Sequence, residues 1–116
     1  MHSADLIADS LDRVHELVPA ILDGLTTEDV LWRPDPGANS IGWLIWHLTR
    51  DEDAAVSLVT GGEQVWISGR WNDAFGLPYA PGAMGYGMST DDVAAFTVPD
   101  PSVLVQYSQA VAAVTR

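Results

Sequence analysis

The chain has 116 residues, 47% of them hydrophobic, which suffices for one modest core and so for a single domain spanning residues 1–116. Five Arg, no Lys and sixteen Asp plus Glu leave a formal charge of -11, which repels phosphate backbones and anionic lipid, so neither nucleic acid nor membrane is an expected partner. The lack of Cys removes disulfides, thiolate metal sites and cysteine nucleophiles, no apolar run approaches the roughly 20 residues of a bilayer span, and the first residues show no signal-peptide pattern, so the expected compartment is the cytoplasm.

Ser3 precedes a run whose apolar residues, from Leu6 and Ile7 through Leu11, Val14 and Val18 to Leu25, recur at i, i+3 and i+4. This predicts a first helix from about Ala4 to about Leu25, with Pro19 kinking or breaking it near Val18. Thr26 or Thr27 caps a short turn through Glu28 and Asp29, and Pro34-Asp35-Pro36-Gly37 ends it. Asn39 or Ser40 caps a second long helix carrying an aliphatic stripe of Ile41, Leu44, Ile45, Leu48, Val56 and Val59, which stops at Gly61-Gly62. From Glu63 to Gly87 aromatics alternate with Gly and Pro without helical period, which predicts a long ordered loop covering one end of a bundle. Ser89 or Thr90 caps a short helix near Asp91 to Phe96, and Asp100-Pro101 opens a last helix that continues to the final residues. Three amphipathic helices leave a groove that a further helix or another chain must cover.

The candidates for chemistry are few. His2 sits at the terminus, and His15 lies at the edge of the first stripe. His47 precedes Asp51 by four residues, so both project from one helical face and could share a divalent metal. Glu52 falls inside the aliphatic stripe of the second helix, where a carboxylate needs an Arg, a hydroxyl, a backbone donor or a metal-bound His. No serine-hydrolase elbow and no phosphate-binding glycine loop is present.

The runs Trp32-Arg33-Pro34, Gly37-Ala38-Asn39-Ser40-Ile41-Gly42-Trp43-Leu44 and Trp46-His47-Leu48-Thr49-Arg50-Asp51-Glu52-Asp53, with Phe75-Gly76-Leu77-Pro78 and Gly85-Tyr86-Gly87 further on, closely resemble the DinB-like superfamily. Within it the fit is to the actinobacterial branch related to mycothiol-dependent enzymes. The resemblance implies an all-α, up-down-down-up four-helix bundle, here expected as about three long helices plus the aromatic loop, because the sequence stops at Arg116 before the family's final helix. It also implies a divalent metal, zinc or nickel, held by three His. His47 matches the one on the second helix, and the pair on the last helix has no counterpart. Asp51 and Glu52 would then orient His47, and Trp43 and Trp46 would wall a cleft for a small-molecule substrate. Relatives of this kind are thiol S-transferases or isomerases, with mycothiol as the expected co-substrate. Two other readings stand beside this one: a non-catalytic helical module that closes its groove by forming a homodimer, and a small-ligand or stress-response binding protein using the aromatic loop.

Overall fold

The computed structural model describes residues 2–115 and is helical, with no strand among the described residues. In chain order the elements are α1 (Ser3–Leu22), α2 (Thr27–Leu31), α3 (Ile41–Thr60), α4 (Val65–Ser68), α5 (Trp71–Phe75), α6 (Thr90–Ala94) and α7 (Pro101–Thr115). Their starts follow capping chemistry. The Ser40 hydroxyl accepts the Trp43 N–H at 3.0 Å, Thr26 and Ser89 do the same for α2 and α6, and Asp100 Oδ1 accepts the Ser102 N–H ahead of α7. Gly61 closes α3 in the left-handed conformation, which glycine adopts without a Cβ penalty.

Three long helices carry the bundle, and α7 packs against both α1 and α3. The core lies where they meet: Val18 and Leu22 of α1, Trp43, Ile45 and Trp46 of α3, and Leu104, Tyr107 and Val111 of α7. Burial of this apolar surface, at about 25 cal/mol per Å², supplies the main driving force.

Three expectations change. The first helix runs through Pro19 and stops at Leu22 rather than Leu25, because Gly24 turns the chain with φ +77° and the Leu25 N–H bonds back to the Leu22 carbonyl. The 63–87 segment is not loop throughout, since α4 and α5 lie within it. Helices this short span little more than one turn and leave no apolar period to read. Moreover, α4 is capped from elsewhere in the fold: the Asp53 carboxylate of α3 accepts the N–H groups of Val65 and Trp66, each at 2.8 Å. Trp66 and Phe75 of this segment are fully buried in the core and Trp71 and Tyr79 pack against it, whereas Tyr86 is exposed.

The third change concerns which face of α3 is covered. Its buried residues are Gly42, Trp43, Ile45, Trp46, Thr49, Arg50 and Asp53, centred about 120° around the helix from the aliphatic stripe at 100° per residue. Ile45 belongs to both the stripe and the buried face, but most of the stripe is open, with Leu44, Leu48 and Val59 exposed. On α1 the same holds for Leu6, Ile7, Leu17 and Ile21.

Candidate functional site

Helix α3 organises everything that could carry chemistry. On its inner face Arg50 and Asp53 are 1% and 2% exposed, so both charges must be satisfied internally. Asp53 accepts from the Tyr107 hydroxyl at 2.7 Å as well as from Val65 and Trp66, and stands 3.6 Å from the Arg50 guanidinium. Arg50 donates to the Ala83 carbonyl at 3.1 Å and to Gln64 Oε1 at 2.7 Å, and lies over the Trp66 ring. One buried pair thereby fixes both ends of the 64–83 segment to α3. Burial, and then the hydrogen bond to Asp53, push the Tyr107 phenol far above its ordinary range.

The segment so anchored passes over His47. Its ring is stacked on Trp43, with centroids 4.9 Å apart, and meets Tyr86 edge-on at 5.0 Å. His47 Nδ1 lies 2.5 Å from the Met84 carbonyl oxygen. A carbonyl only accepts, so Nδ1 carries the hydrogen, and Nε2 is the nitrogen with the lone pair whenever the ring is neutral. That nitrogen faces Asp51 Oδ2 at 3.7 Å. Asp51 Oδ1 is buried without a hydrogen-bond partner. Tyr86 sits against the same carboxylate, whose closeness raises its phenol pKa. Gly85 makes the approach feasible: it has φ +107°, and a Cβ there would lie 2.6 Å from His47 Nδ1.

Glu52 finds its partners on the other side of this edge. His15 Nε2 lies 2.9 Å from both carboxylate oxygens, and the Thr115 hydroxyl donates to it at 2.7 Å. The stripe carboxylate is thus held by an imidazole and a hydroxyl from α1 and α7 rather than turned toward His47. Trp46 is fully buried against Trp66, Tyr79 and Phe96, which places it in the core rather than at a cleft wall. Trp43 is 7% exposed and donates its indole N–H to Met88 Sδ.

A catalytic zinc needs three protein donors and an open position. His47 Nε2 and Asp51 Oδ2, 3.7 Å apart, could supply two, but among the described residues no group of three His, Cys, Asp or Glu side chains stands close enough to hold a metal. The residues present therefore do not make a complete metal site.

Between α1 and α3 runs a groove of about 630 Å³, lined by Ile7, Leu11 and Val14 on one wall and Leu48, Val56 and Val59 on the other, with Val114 at one end and Asp51 and Glu52 along its edge. No helix among the described residues is long and apolar enough to cross a membrane.

The sequence reading singled out His47, Asp51 and Glu52 but missed Arg50, Asp53 and Gly85. The signal for the first two was their spacing from Trp46, which puts all three on one face of α3. That of Gly85 was its place between Met84 and Tyr86, which no local rule links to His47.

The all-helical fold built on three long helices is what this protein shares with known ones. The profile of the DinB superfamily matches residues 10–115, so the chain belongs to that superfamily. A crystal structure of a conserved protein from Enterococcus faecalis is similar over 99% of this chain and 68% of its own, with a TM-score of 0.89 and 27% sequence identity. No curated protein matches the chain.

Proposed function

We propose that this DinB-superfamily chain presents His47 as a divalent-metal imidazole, with Asp51 beside it, and that the remaining donors come from outside the described residues. The observation that supports this reading is the hydrogen bond from His47 Nδ1 to the Met84 carbonyl. It leaves Nε2 as the lone-pair nitrogen and holds the ring in place, as the partners behind metal-binding histidines do. Zinc or nickel suits imidazole with carboxylate. A thiol co-substrate such as mycothiol, and S-transferase or isomerase chemistry on it, rests on the family resemblance alone and forms the finer part of the proposal.

The test is titration of untagged, chelator-treated protein with nickel chloride, followed by broadening of the His47 ring signals in NMR spectra. Paramagnetic broadening localises the ion and separates it from ion held by the terminal His2. Weak, saturable broadening at His47 is expected, lost in His47→Ala and reduced in Gly85→Ala, whose Cβ displaces the ring. Nickel that broadens other residues and leaves His47 unchanged would overturn the reading.

A further inference from the structure

We propose that the aromatic core is also a one-electron relay, in which an oxidising equivalent taken up at Trp71 or Trp43 comes to rest on Tyr107 as a neutral phenoxyl radical, with Asp53 receiving the phenol proton. The inference stands independently of a metal at His47. Two arms of ring contacts meet at Tyr107. One runs from Trp43, stacked on His47, to Trp46 at 6.3 Å, from there to Trp66 at 6.2 Å, and then to Tyr107 at 5.0 Å. The other is a single step of 5.5 Å from Trp71, which keeps part of its surface in solvent. Every link falls within the roughly 4.5–7 Å between centroids of rings in contact, close enough for an electron to pass from ring to ring without a carrier. The chain has no Cys, so indole and phenol meet no thiol that would give up an electron in their place.

The surroundings of Tyr107 make it the stopping point. Loss of an electron turns a phenol into an acid far stronger than a carboxylic acid, so a base within hydrogen-bond distance takes the proton as the electron leaves. The Tyr107 hydroxyl donates to Asp53 Oδ2 at 2.7 Å, and with Tyr107 0% exposed the carboxylate stands where water does not reach. Tyr79 also touches Trp46, but its hydroxyl donates to the Asp92 carbonyl, a backbone group too weakly basic to hold a proton. At Trp66 the Arg50 guanidinium over the ring disfavours a cation radical, so a positive charge arriving there moves on to Tyr107. The co-reactant is a one-electron oxidant of the class of small inorganic radicals. It gains one electron and becomes its anion, Trp71 loses one and regains it from Tyr107, the Tyr107 O–H bond breaks, and an O–H bond forms on Asp53.

The experiment is pulse radiolysis of the folded chain with azide radicals, which oxidise accessible indole, in a Trp32→Phe background that removes a 64% exposed indole lying outside both arms. The indolyl absorption is expected to decay as a phenoxyl absorption grows, at a rate independent of protein concentration and slower in deuterium oxide, because the proton moves with the electron. Tyr107→Phe should lose most of the phenoxyl signal and lengthen the indolyl lifetime several-fold. Trp71→Phe, which removes the more exposed entry, should lower the phenoxyl yield. Tyr86→Phe removes a 72% exposed phenol that contacts His47 and neither arm, and should leave the transfer unchanged. Circular dichroism confirms that the variants stay folded. A phenoxyl signal lost in Tyr86→Phe and kept in Tyr107→Phe would overturn the proposal, as would a transfer rate that rises with protein concentration or is the same in deuterium oxide. An indolyl radical that decays with no phenoxyl formed would overturn it too and leave the rings as packing alone.

Discussion

Asp53 ties α3 to α4 and α7. Three donors converge on its carboxylate, from Val65, Trp66 and Tyr107, with Arg50 alongside at 3.6 Å. Removing it leaves a guanidinium that is 1% exposed without its counter-charge and two helix N–H groups without their acceptor. Asp53→Ala is therefore expected to destabilise the fold by about 3–5 kcal/mol, the usual consequence of breaking a buried pair from one side. Urea denaturation measures this, and a loss under 1 kcal/mol would show that the network relaxes onto other partners. Asp53→Asn keeps an acceptor and should cost less. The effect reaches His47 as well, because Arg50 holds the Ala83 carbonyl and so the backbone that carries Met84 onto the imidazole.

Among the elements, α3 illustrates how packing overrides periodicity. Gly42 begins its buried face, and a Cβ there would stand 2.7 Å from Val30 Cγ1, 3.0 Å from Phe96 Cε1 and 3.1 Å from the Val30 carbonyl oxygen. The Val30 and Phe96 side chains can swing aside, but the α2 backbone that carries the oxygen has less room to yield. Gly42→Ala should thus lose about 1–3 kcal/mol to overpacking, more than the gain in helix propensity of up to about 1 kcal/mol. Thermal denaturation checks the sign: a raised melting temperature would mean that α2 moves freely. The three long helices and their caps at Ser40, Gly61 and Asp100 were legible in the sequence, because caps and turn residues act within four positions of where they are written. The partner of Glu52 was foreseen as a class, a hydroxyl among the options, and is met by Thr115 together with His15. What stayed illegible was set by distant chain. The α4 helix owes its first turn to a carboxylate twelve residues away, and the buried face of α3 is chosen by indoles and an ion pair that no hydrophobicity pattern ranks above leucine and valine. That the helices leave an open groove was foreseen in the sequence; that the buried face of α3 lies away from the aliphatic stripe was not.

At the scale of the whole molecule, two tyrosines couple stability to alkaline pH. Tyr79 joins the aromatic segment to α6 by donating to the Asp92 carbonyl, and burial, followed by the charge of Asp92, pushes its pKa up from 10.0 to about 12. Tyr107 ties α7 to α3 through Asp53 and is raised too, chiefly by burial. Both phenols keep their protons in the folded state at pH values where the unfolded chain has begun to release them, so the unfolded state binds fewer protons and stability falls as pH rises. Their contribution is complete below pH 10 and, for Tyr79, lost as pH climbs through about 12. A chain that already carries -11 also suffers growing self-repulsion as pH rises, which by itself would give the same trend. Tyr107→Phe separates the two causes. It removes one titrating phenol and leaves the repulsion nearly unchanged, so the variant is expected to be less stable by about 1 kcal/mol near neutral pH, for the lost hydrogen bond to Asp53, yet to lose less stability between about pH 9 and about pH 11. Urea denaturation of both proteins across that range measures the two slopes. Parallel slopes would leave the alkaline loss to Tyr79 and net charge, whereas a shallower slope in the variant would locate part of it at the Tyr107–Asp53 contact.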